Sequence, residues 1–335
     1  MKSLKQIFAT LITLHSFFLL QVQATALYVD INSTNPVSPY VSWATAATNI
    51  PDAVAQAVSG DTVLVTNGTY TLSAQVTVDS ITLESVNGPE VTLVEGPGVT
   101  LFQVPSGAGT TWINGFTIQN ASWGVNASGN PLNAGVSNCV FRSVAFFALV
   151  GGSAIDCVFT NNIGNQPAFS LKYAENCTFV SNSPALGFSG ALYMSSPSDI
   201  ASNCVFIGNS KGGETPGAFA RGIAIDCTFV GNTGGIGGAI RNATAINCVF
   251  SNNLATIYGG AMGDGSATNC LFVNNHSDGE GGAIHDSTAY GCEFVGNTAV
   301  TEGGGAYNST VNELSLIHIS EPTRQTIPSR MPSSA

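Results

Sequence analysis

The sequence predicts an all-β fold, a parallel β-helix wound as a solenoid of about 22 residues per coil. Only 9% of its 335 residues are charged, too few to supply the polar faces that helices of a soluble helical protein need. The chain is 44% hydrophobic and contains 38 glycines, which excludes a mostly disordered polypeptide. A Cys-x-Phe motif recurs about every 22 residues in the second half, and a repeat of that length is typical of solenoids.

Charge and hydrophobicity exclude two classes of function. Nine Lys and Arg stand against 20 Asp and Glu, a formal net charge of −11. The segment 27–313, with 19 acids and 5 bases, has a net charge of about −14. Such a chain cannot neutralise a row of phosphates, so we expect no nucleic acid partner. No run of 18 or more apolar residues follows the first 25 positions, so no transmembrane helix is predicted.

Residues 1–26 are typical of a secretory signal peptide. Lys2 and Lys5 supply the positive start, and Ile7–Leu20 is an apolar run interrupted by polar residues. Ala24-Thr25-Ala26 matches a small-x-small cleavage site, with cleavage after Ala24 as the alternative to cleavage after Ala26. We therefore expect an exported protein.

Residues 27–60 are predicted to form an N-terminal cap. Ala46–Val58 has the pattern of a short amphipathic helix with Pro51 near its first turn. A helix placed before the first coil would cover the open end of the core. The segment Gly60–Tyr70 then alternates like a strand and contains an Asn-Gly turn. We predict that the β-helix extends over residues 61–313, with the cysteine repeats in 139–313.

The repeat predicts two ladders of identical side chains. All eight cysteines begin Cys-x-Phe, and seven units continue as Cys-x-Phe-x-x-Asn, whereas the first has Val144 there. Residues two apart on a strand point to the same side, so Cys and Phe are both predicted to face the core. Asparagine suits a tight turn and can hydrogen-bond along a ladder. The ladder residues are Cys139, Cys157, Cys177, Cys204, Cys227, Cys248, Cys270 and Cys292, with Asn162, Asn182, Asn209, Asn232, Asn253, Asn275 and Asn297.

The redox state of the cysteines follows from the stacking. Eight cysteines in an exported protein first suggest four disulfides. Stacked residues lie about 4.8 Å apart, and their parallel side chains do not give the Cβ separation of about 3.8 Å and the torsion near 90° that a disulfide requires. We therefore predict free thiols. A metal site is disfavoured because thiolate ligands must converge on one point, which a ladder does not do.

The C-terminal residues 314–335 depart from the repeat pattern. LSLIHISEPTR resembles the in-frame translation of a transposase-type sequencing adapter, and SRMPSSA resembles the flow-cell end of the same adapter. We therefore expect Leu314–Ala335 to be a disordered artefact of library preparation and the natural chain to continue beyond Glu313.

Several motifs resemble those of known families. The helix followed by GDTVLVTNGTY, and INGFTIQN at Ile113–Asn120, resemble the opening of right-handed parallel β-helix proteins of the pectin-lyase-like class. FxxN paired with GGA[I/M/Y], as in Phe250–Asn253 with Gly259–Met262, resembles the repeats of chlamydial polymorphic outer-membrane proteins. Together these similarities cover about residues 45–313 and imply a single-stranded right-handed parallel β-helix. They imply a surface-displayed adhesin or a protein that binds or cleaves acidic polysaccharides, in the extracellular medium or on a bacterial outer membrane.

One constellation of polar residues is a candidate ligand or calcium site. Aligning the last coils on Gly-Gly-Ala places Asp264 and Asp286 at one position, one coil apart, with His285 and Arg241 at the preceding position. Carboxylates are the ligands that calcium prefers. The competing interpretation is that Asp at a coil corner is a turn former. No other cofactor and no catalytic residue are predicted; a second potential stack is formed by Glu280 and Glu302.

Three functions remain open at this point. The first is adhesion or glycan binding by an exported surface protein, with an extracellular polysaccharide or a host or cell-surface ligand as partner. The second is a polysaccharide lyase or glycoside hydrolase, although the Asp-Asp, Asn-x-Asp and His-Gly set of polygalacturonases and an Arg-rich lyase motif are both missing from the sequence. The third is a passive structural protein of the envelope. An aromatic or polar stripe along one face would favour binding.

Overall fold

The described chain is a parallel β-helix, as the sequence predicts. The computed structural model describes residues 24–130 and 132–312, together with the backbone of 315–316. The predicted signal peptide and the adapter-like tail lie outside these residues, except for 24–26 and 315–316. The fold has about 11 turns of about 22 residues each and almost no helix. No helix among the described residues is long and apolar enough to cross a membrane.

The strands stack in four parallel ladders, one strand per coil in each. The first ladder precedes the cysteines and begins with a strand that the sequence did not predict. It consists of Ala26–Val29, Thr62–Val65, Thr82–Ser85, Thr111–Asn114, Ala134–Ser137, Ser153–Ile155, Tyr173–Glu175, Ile200–Ser202, Phe219–Ile225, Ile240–Ile246, Ser266–Thr268, Thr288–Tyr290 and Thr310–Asn312.

The second ladder carries the phenylalanines of the repeat. It consists of Gly68–Thr71, Thr92–Gln103, Thr117–Asn126, Val140–Arg142, Val158–Thr160, Thr178–Val180, Val205–Ile207, Thr228–Val230, Val249–Ser251, Leu271–Val273, Glu293–Val295 and Ser315–Leu316.

The third ladder follows the Gly-Gly-Ala corner, and a short fourth ladder lies between the asparagine turn and that corner. Four long strands of the first and second ladders bend into the third, namely Thr92–Gln103, Thr117–Asn126, Phe219–Ile225 and Ile240–Ile246. The other strands of the third ladder are Val76–Thr77, Phe147–Val150, Gln166–Leu171, Leu192–Met194, Met262–Gly263, Ile284–His285 and Ala306–Tyr307. The fourth ladder consists of Thr233–Ile236, Leu254–Tyr258, His276–Ser277 and Thr298–Ala299.

The N-terminal helix is much shorter than the predicted Ala46–Val58. It covers only Ile50–Val54, after a 3₁₀ turn at Trp43–Thr45. The side chain of Asn49 fixes its start, because Asn49 Oδ1 accepts from the backbone N–H of Asp52 at 2.9 Å. One turn is sufficient here, since only Ile50 and Ala53 face the core. In the sequence, the helix follows the first strand of the first ladder and precedes the second, so it does not come before the first coil as predicted.

The first strand bears on the two alternative cleavage sites of the predicted signal peptide. The backbone N–H of Thr25 donates to Asp61 Oδ1 at 2.8 Å, and its carbonyl accepts from Thr62 at 3.0 Å. Cleavage after Ala24 would keep these bonds, whereas cleavage after Ala26 would remove them. The signal peptide and its cleavage site stay predictions.

The core is built from two stacks of identical side chains. The phenylalanine rings of the repeat, from Phe141 to Phe294, lie parallel with centroids 4.7–4.9 Å apart. Burial of each such ring contributes about 2 kcal/mol to stability. The eight cysteines are buried beside them and free. A hydrogen bond with Cys248, together with burial, raises the pKa of the Cys270 thiol to about 12.

The asparagines form a continuous buried ladder. In each pair, the backbone N–H and the side-chain amide of one asparagine both donate to Oδ1 of the asparagine in the next coil. The same amide also donates to a phenylalanine carbonyl of the preceding coil. Each interior asparagine thereby satisfies polar groups of three coils, which a smaller or charged side chain cannot do.

Successive coils approach each other closely at the Gly-Gly-Ala corner. The first glycine of each pair has a left-handed φ, 71° at Gly237, 70° at Gly259 and 65° at Gly281. A Cβ at the second glycine would lie 2.0 Å from the carbonyl oxygen of the next coil at Gly238, and 1.9 Å at Gly260. The two glycines are therefore required for different reasons, the first by its backbone angle and the second by space.

The β-helix extends two residues into the tail that was predicted to be disordered. Ser315–Leu316 pairs in parallel with Glu293 and Phe294. The rest of the segment 314–335 lies outside the described residues, and its disorder stays a prediction. The last strand of a solenoid presents unpaired N–H and C=O groups, and an extended segment of almost any sequence can satisfy them.

The cysteine ladder gives a direct prediction for thiol chemistry. We expect titration of the unfolded protein, without reductant, to detect eight thiols per chain, because stacked parallel side chains do not have disulfide geometry. In the native protein we expect no thiol to react within minutes, since all eight are buried and out of reach of the reagent. Detection of four or fewer thiols after unfolding would contradict the free-thiol ladder.

Candidate functional site

The predicted ligand residues Arg241 and Asp264 form an ion pair. Arg241 Nε donates to Asp264 Oδ2 at 2.7 Å, and Arg241 Nη1 donates to the carbonyl oxygen of Glu214. The guanidinium therefore occupies one of the two carboxylate oxygens that a calcium ion could use. Asp286 accepts instead from the side-chain amide of Asn308. Among the described residues, no side chain contacts the carboxylates of both Asp264 and Asp286.

The backbone at these positions favours the turn-former interpretation. Asp264 and Asp286 have left-handed φ angles of 52° and 47°, and Asn242 and Asn308 at the equivalent corners have 53° and 46°. Short polar side chains are the residues that tolerate this conformation. Within residues 24–130 and 132–312, no group of three or more His, Cys, Asp and Glu is placed to hold a metal ion. Calcium at Asp264 and Asp286 stays a prediction.

His285 lies beside Asp286 in a cluster of aromatic and acidic residues. Its ring is buried between Tyr258 and Tyr307, with centroid separations of 4.0 Å and 5.4 Å. His285 Nε2 lies 3.3 Å from Glu280 Oε2, and Nδ1 lies 3.4 Å from Asp286 Oδ2.

Glu280 and Glu302, which the sequence predicts as a second stack, influence Tyr307 of the same cluster through their charge. The negative charges of Glu280 and then Glu302 raise the pKa of Tyr307. Like charges gathered at this corner make it an acidic surface, and Tyr307 is not poised to lose a proton near neutral pH.

A row of aromatic rings, which the sequence analysis missed, lies along the third ladder. Trp123, Phe147, Phe169 and Tyr193 come from four successive coils, and their ring centroids are separated by 4.7, 5.5 and 5.4 Å in turn. Phe188 packs against the last two, at 5.8 Å from Phe169 and 4.9 Å from Tyr193. We call these five residues the aromatic row.

The aromatic row is flanked by apolar side chains that project into solvent. Phe188 itself is 56% exposed, and Phe146, Ile163 and Leu186 are 48%, 69% and 66% exposed. None of these residues carries a charge. Exposed apolar side chains gathered on neighbouring coils are typical of an interaction site.

A cleft of about 440 Å³ continues the aromatic row toward the C-terminal coils. Phe188 and Tyr193 line one end, and Glu214, Arg221 and Arg241 line the rest. Arg221 Nη1 donates to the phenolic oxygen of Tyr193 at 3.2 Å. We call this the arginine cleft; a shallower groove that shares Asn242 with it leads on to Asp264 and Ser266.

Arg221 occupies a backbone position that disfavours it. Its φ is 61°, a left-handed value, whereas the equivalent corners of the next coils hold Asn242, Asp264, Asp286 and Asn308. A left-handed conformation costs a residue of this type about 1–2 kcal/mol. Backbone strain of this kind is concentrated at ligand sites, and here it places a guanidinium beside the aromatic row.

The family comparison matches one coil of the repeat region. The family model described as the Chlamydia polymorphic membrane protein (Chlamydia_PMP) repeat matches residues 269–287. The chain carries a PMP-type repeat. The matched PMP-type repeat contains Cys270, Phe272, Asn275 and Gly281–Ile284, which are core, ladder and corner residues rather than members of the aromatic row.

The comparison with solved structures finds other chains of low sequence identity. The mannuronan C-5 epimerase AlgE4 A-module of Azotobacter vinelandii is 14% identical, with a TM-score of 0.45, and the match covers 85% of this chain and 94% of that one. Pectin methylesterase PemA of Erwinia chrysanthemi is 12% identical, with a TM-score of 0.40 and coverage of 71% and 81%. ORF18 of Geobacillus virus E2 is 14% identical, with a TM-score of 0.38; the match covers 77% of this chain and only 54% of the viral chain. No curated protein matches the chain significantly.

Proposed function

We propose that the protein is an exported, surface-associated β-helix that binds a glycan through the aromatic row and the arginine cleft. The observation that carries this proposal is the aromatic row, in which four successive coils each present one ring in contact with the next, Phe169 and Tyr193 stacked and the other pairs tilted. The signal-like N-terminus and the PMP-type repeat support a location outside the cytoplasm.

Aromatic rings in this arrangement suit a polymer of sugars. A pyranose ring has a face of C–H groups that packs on an aromatic face, while its hydroxyl groups stay hydrated at the rim. One ring per coil, repeated about every 5 Å, presents equivalent subsites to equivalent sugar units. Donors and acceptors at the end of the row, including Arg221 and Glu214, can bind the hydroxyl groups.

The proposal is tested by measuring binding of a panel of immobilised polysaccharides to the secreted protein. We expect Phe169→Ala and Tyr193→Ala each to raise Kd about fivefold, for a stacking contact of about 1 kcal/mol. Tyr290→Ala, which removes a 46% exposed tyrosine on the first ladder, is the matched control and should leave Kd unchanged. Equal affinities for all three variants, or no binding by any polysaccharide, would contradict the proposal.

A further inference from the structure

We infer that the glycan is a neutral polysaccharide, and that polymers of uronates or sulfated sugars are excluded from the aromatic row. This inference rests on the proposed function and concerns the charge of the ligand. It follows from where the few charged side chains of the chain lie.

Among the described residues, the cation bonded to the aromatic row is Arg221, which reaches Tyr193 at one end of the row; the rings of Trp123, Phe147 and Phe169 have none. A uronate polymer carries one carboxylate per sugar, so a chain stacked on four successive rings needs a basic group at every coil. Trp123, Phe147 and Phe169 are flanked by Phe146, Ile163 and Leu186, all of them uncharged. A carboxylate held against this surface would lose hydration without gaining a partner.

Three other basic side chains of the described coils each bond to a partner of their own, which is a carboxylate only for Lys172. Arg142 lies in the second ladder and donates to Gln119 Oε1 at 2.7 Å. Lys172 pairs with Asp199 at 3.6 Å. Lys211, at the edge of the apolar surface, donates to the carbonyl oxygen of Ala185 at 2.7 Å.

The arginine cleft has no surplus of positive charge. Arg241 is neutralised by Asp264 at 2.7 Å. Arg221 shares the cleft with the carboxylate of Glu214. Residues 27–313 together carry a net charge of about −14. The electrostatic field of such a chain repels a polyanion before contact.

The same cleft suits a neutral sugar. Each hydroxyl group both donates and accepts a hydrogen bond, so adjacent hydroxyls fit a cleft that is lined by guanidinium donors as well as by a glutamate. A sugar carboxylate would be attracted by Arg221 and repelled by Glu214 at the same time. The pair therefore discriminates by charge as well as by hydrogen bonding.

The inference is tested with neutral polysaccharides and with the same preparations oxidised at C6 to uronates. A glucan, a mannan and a galactan, each paired with its oxidised form, give polymers that share a backbone and linkage but differ in charge. We expect at least one neutral polymer to bind, its oxidised form to bind about tenfold more weakly at low salt, and the neutral affinity to be insensitive to salt. An oxidised polymer that binds as tightly as its neutral parent would overturn the inference.

Two charge variants locate the discrimination in the cleft. Glu214→Gln removes the carboxylate that repels the oxidised polymer, so that polymer should bind more tightly. The ratio of the Kd of the oxidised polymer to that of the neutral one should therefore fall at least threefold. Asp226→Asn makes the same change in net charge outside the aromatic row and the cleft, and it should leave the preference unchanged. Equal effects of the two variants would overturn the assignment to Glu214. If no polymer binds, or if Phe169→Ala leaves the Kd of a bound polymer unchanged, the proposed function itself fails.

Discussion

Substitution of Gly260 by alanine is expected to lower the free energy of unfolding by about 3 kcal/mol or more. A Cβ at Gly260 would lie 1.9 Å from the carbonyl oxygen of Gly282 and 2.7 Å from that of His276. Both obstacles are backbone atoms of the next coil, so no side chain can rotate away to relieve the clash. The expected change is measured by chemical denaturation followed through far-UV circular dichroism.

Gly212→Ala is the matched control for this prediction. Gly212 has nothing within 4 Å of its added Cβ and no left-handed φ, so alanine there should be neutral or slightly stabilising. If Gly260→Ala unfolds at the same denaturant concentration as Gly212→Ala, the coils are not packed as closely at the Gly-Gly-Ala corner as the structure requires.

Substitution of Asn253 by alanine is expected to cost about 3–5 kcal/mol. Asn253 Oδ1 accepts from the backbone N–H and the amide of Asn232, both at 3.0 Å. Its own amide donates to the carbonyl oxygen of Phe229 at 3.0 Å and to Asn275 Oδ1 at 2.9 Å. Alanine would leave two donors of Asn232 and one acceptor of Phe229 buried without these partners.

The control for the asparagine ladder is Asn35→Ala, because Asn35 is exposed outside the repeats. It should change the free energy of unfolding by less than about 0.5 kcal/mol. Hydrogen exchange should also show that Asn253→Ala loosens the coils on both sides of the substitution, since coils of a solenoid are stabilised by their nearest neighbours. Protection unchanged in these coils would contradict the role of the ladder.

The repeat motifs were sufficient to predict the coil architecture. Cys-x-Phe-x-x-Asn specifies two inward side chains and one turn residue, and in a solenoid each position meets its own copy in the next coil. The stacks of Phe159 on Phe179 and of Asn253 on Asn275 therefore follow from periodicity alone. The length of the helix at Ile50–Val54 does not, because it depends on how few residues the first coil needs to bury.

The aromatic row could not be predicted in the same way. The alignment on Gly-Gly-Ala orders only the later coils, since that motif is degenerate or missing near Phe147, Phe169 and Tyr193. Sequence spacing between these residues varies from coil to coil, and only strand pairing, such as Phe169 opposite Tyr193, brings their rings into contact. The turn-forming role of Asp264 was foreseen, but its bond with Arg241 depends on side-chain directions at two corners.

The sequence by itself determined the solenoid, its period and the residues that fill its core, because repeated local motifs make identical contacts with their neighbours. The tertiary structure alone decided which outward side chains share a face. Those side chains vary between coils, and their register depends on loops of unequal length and on long strands that bend around corners, as Phe219–Ile225 does. The proposed binding surface is therefore a property of the stacked coils, in which residues as distant in sequence as Trp123 and Arg221 line one continuous surface.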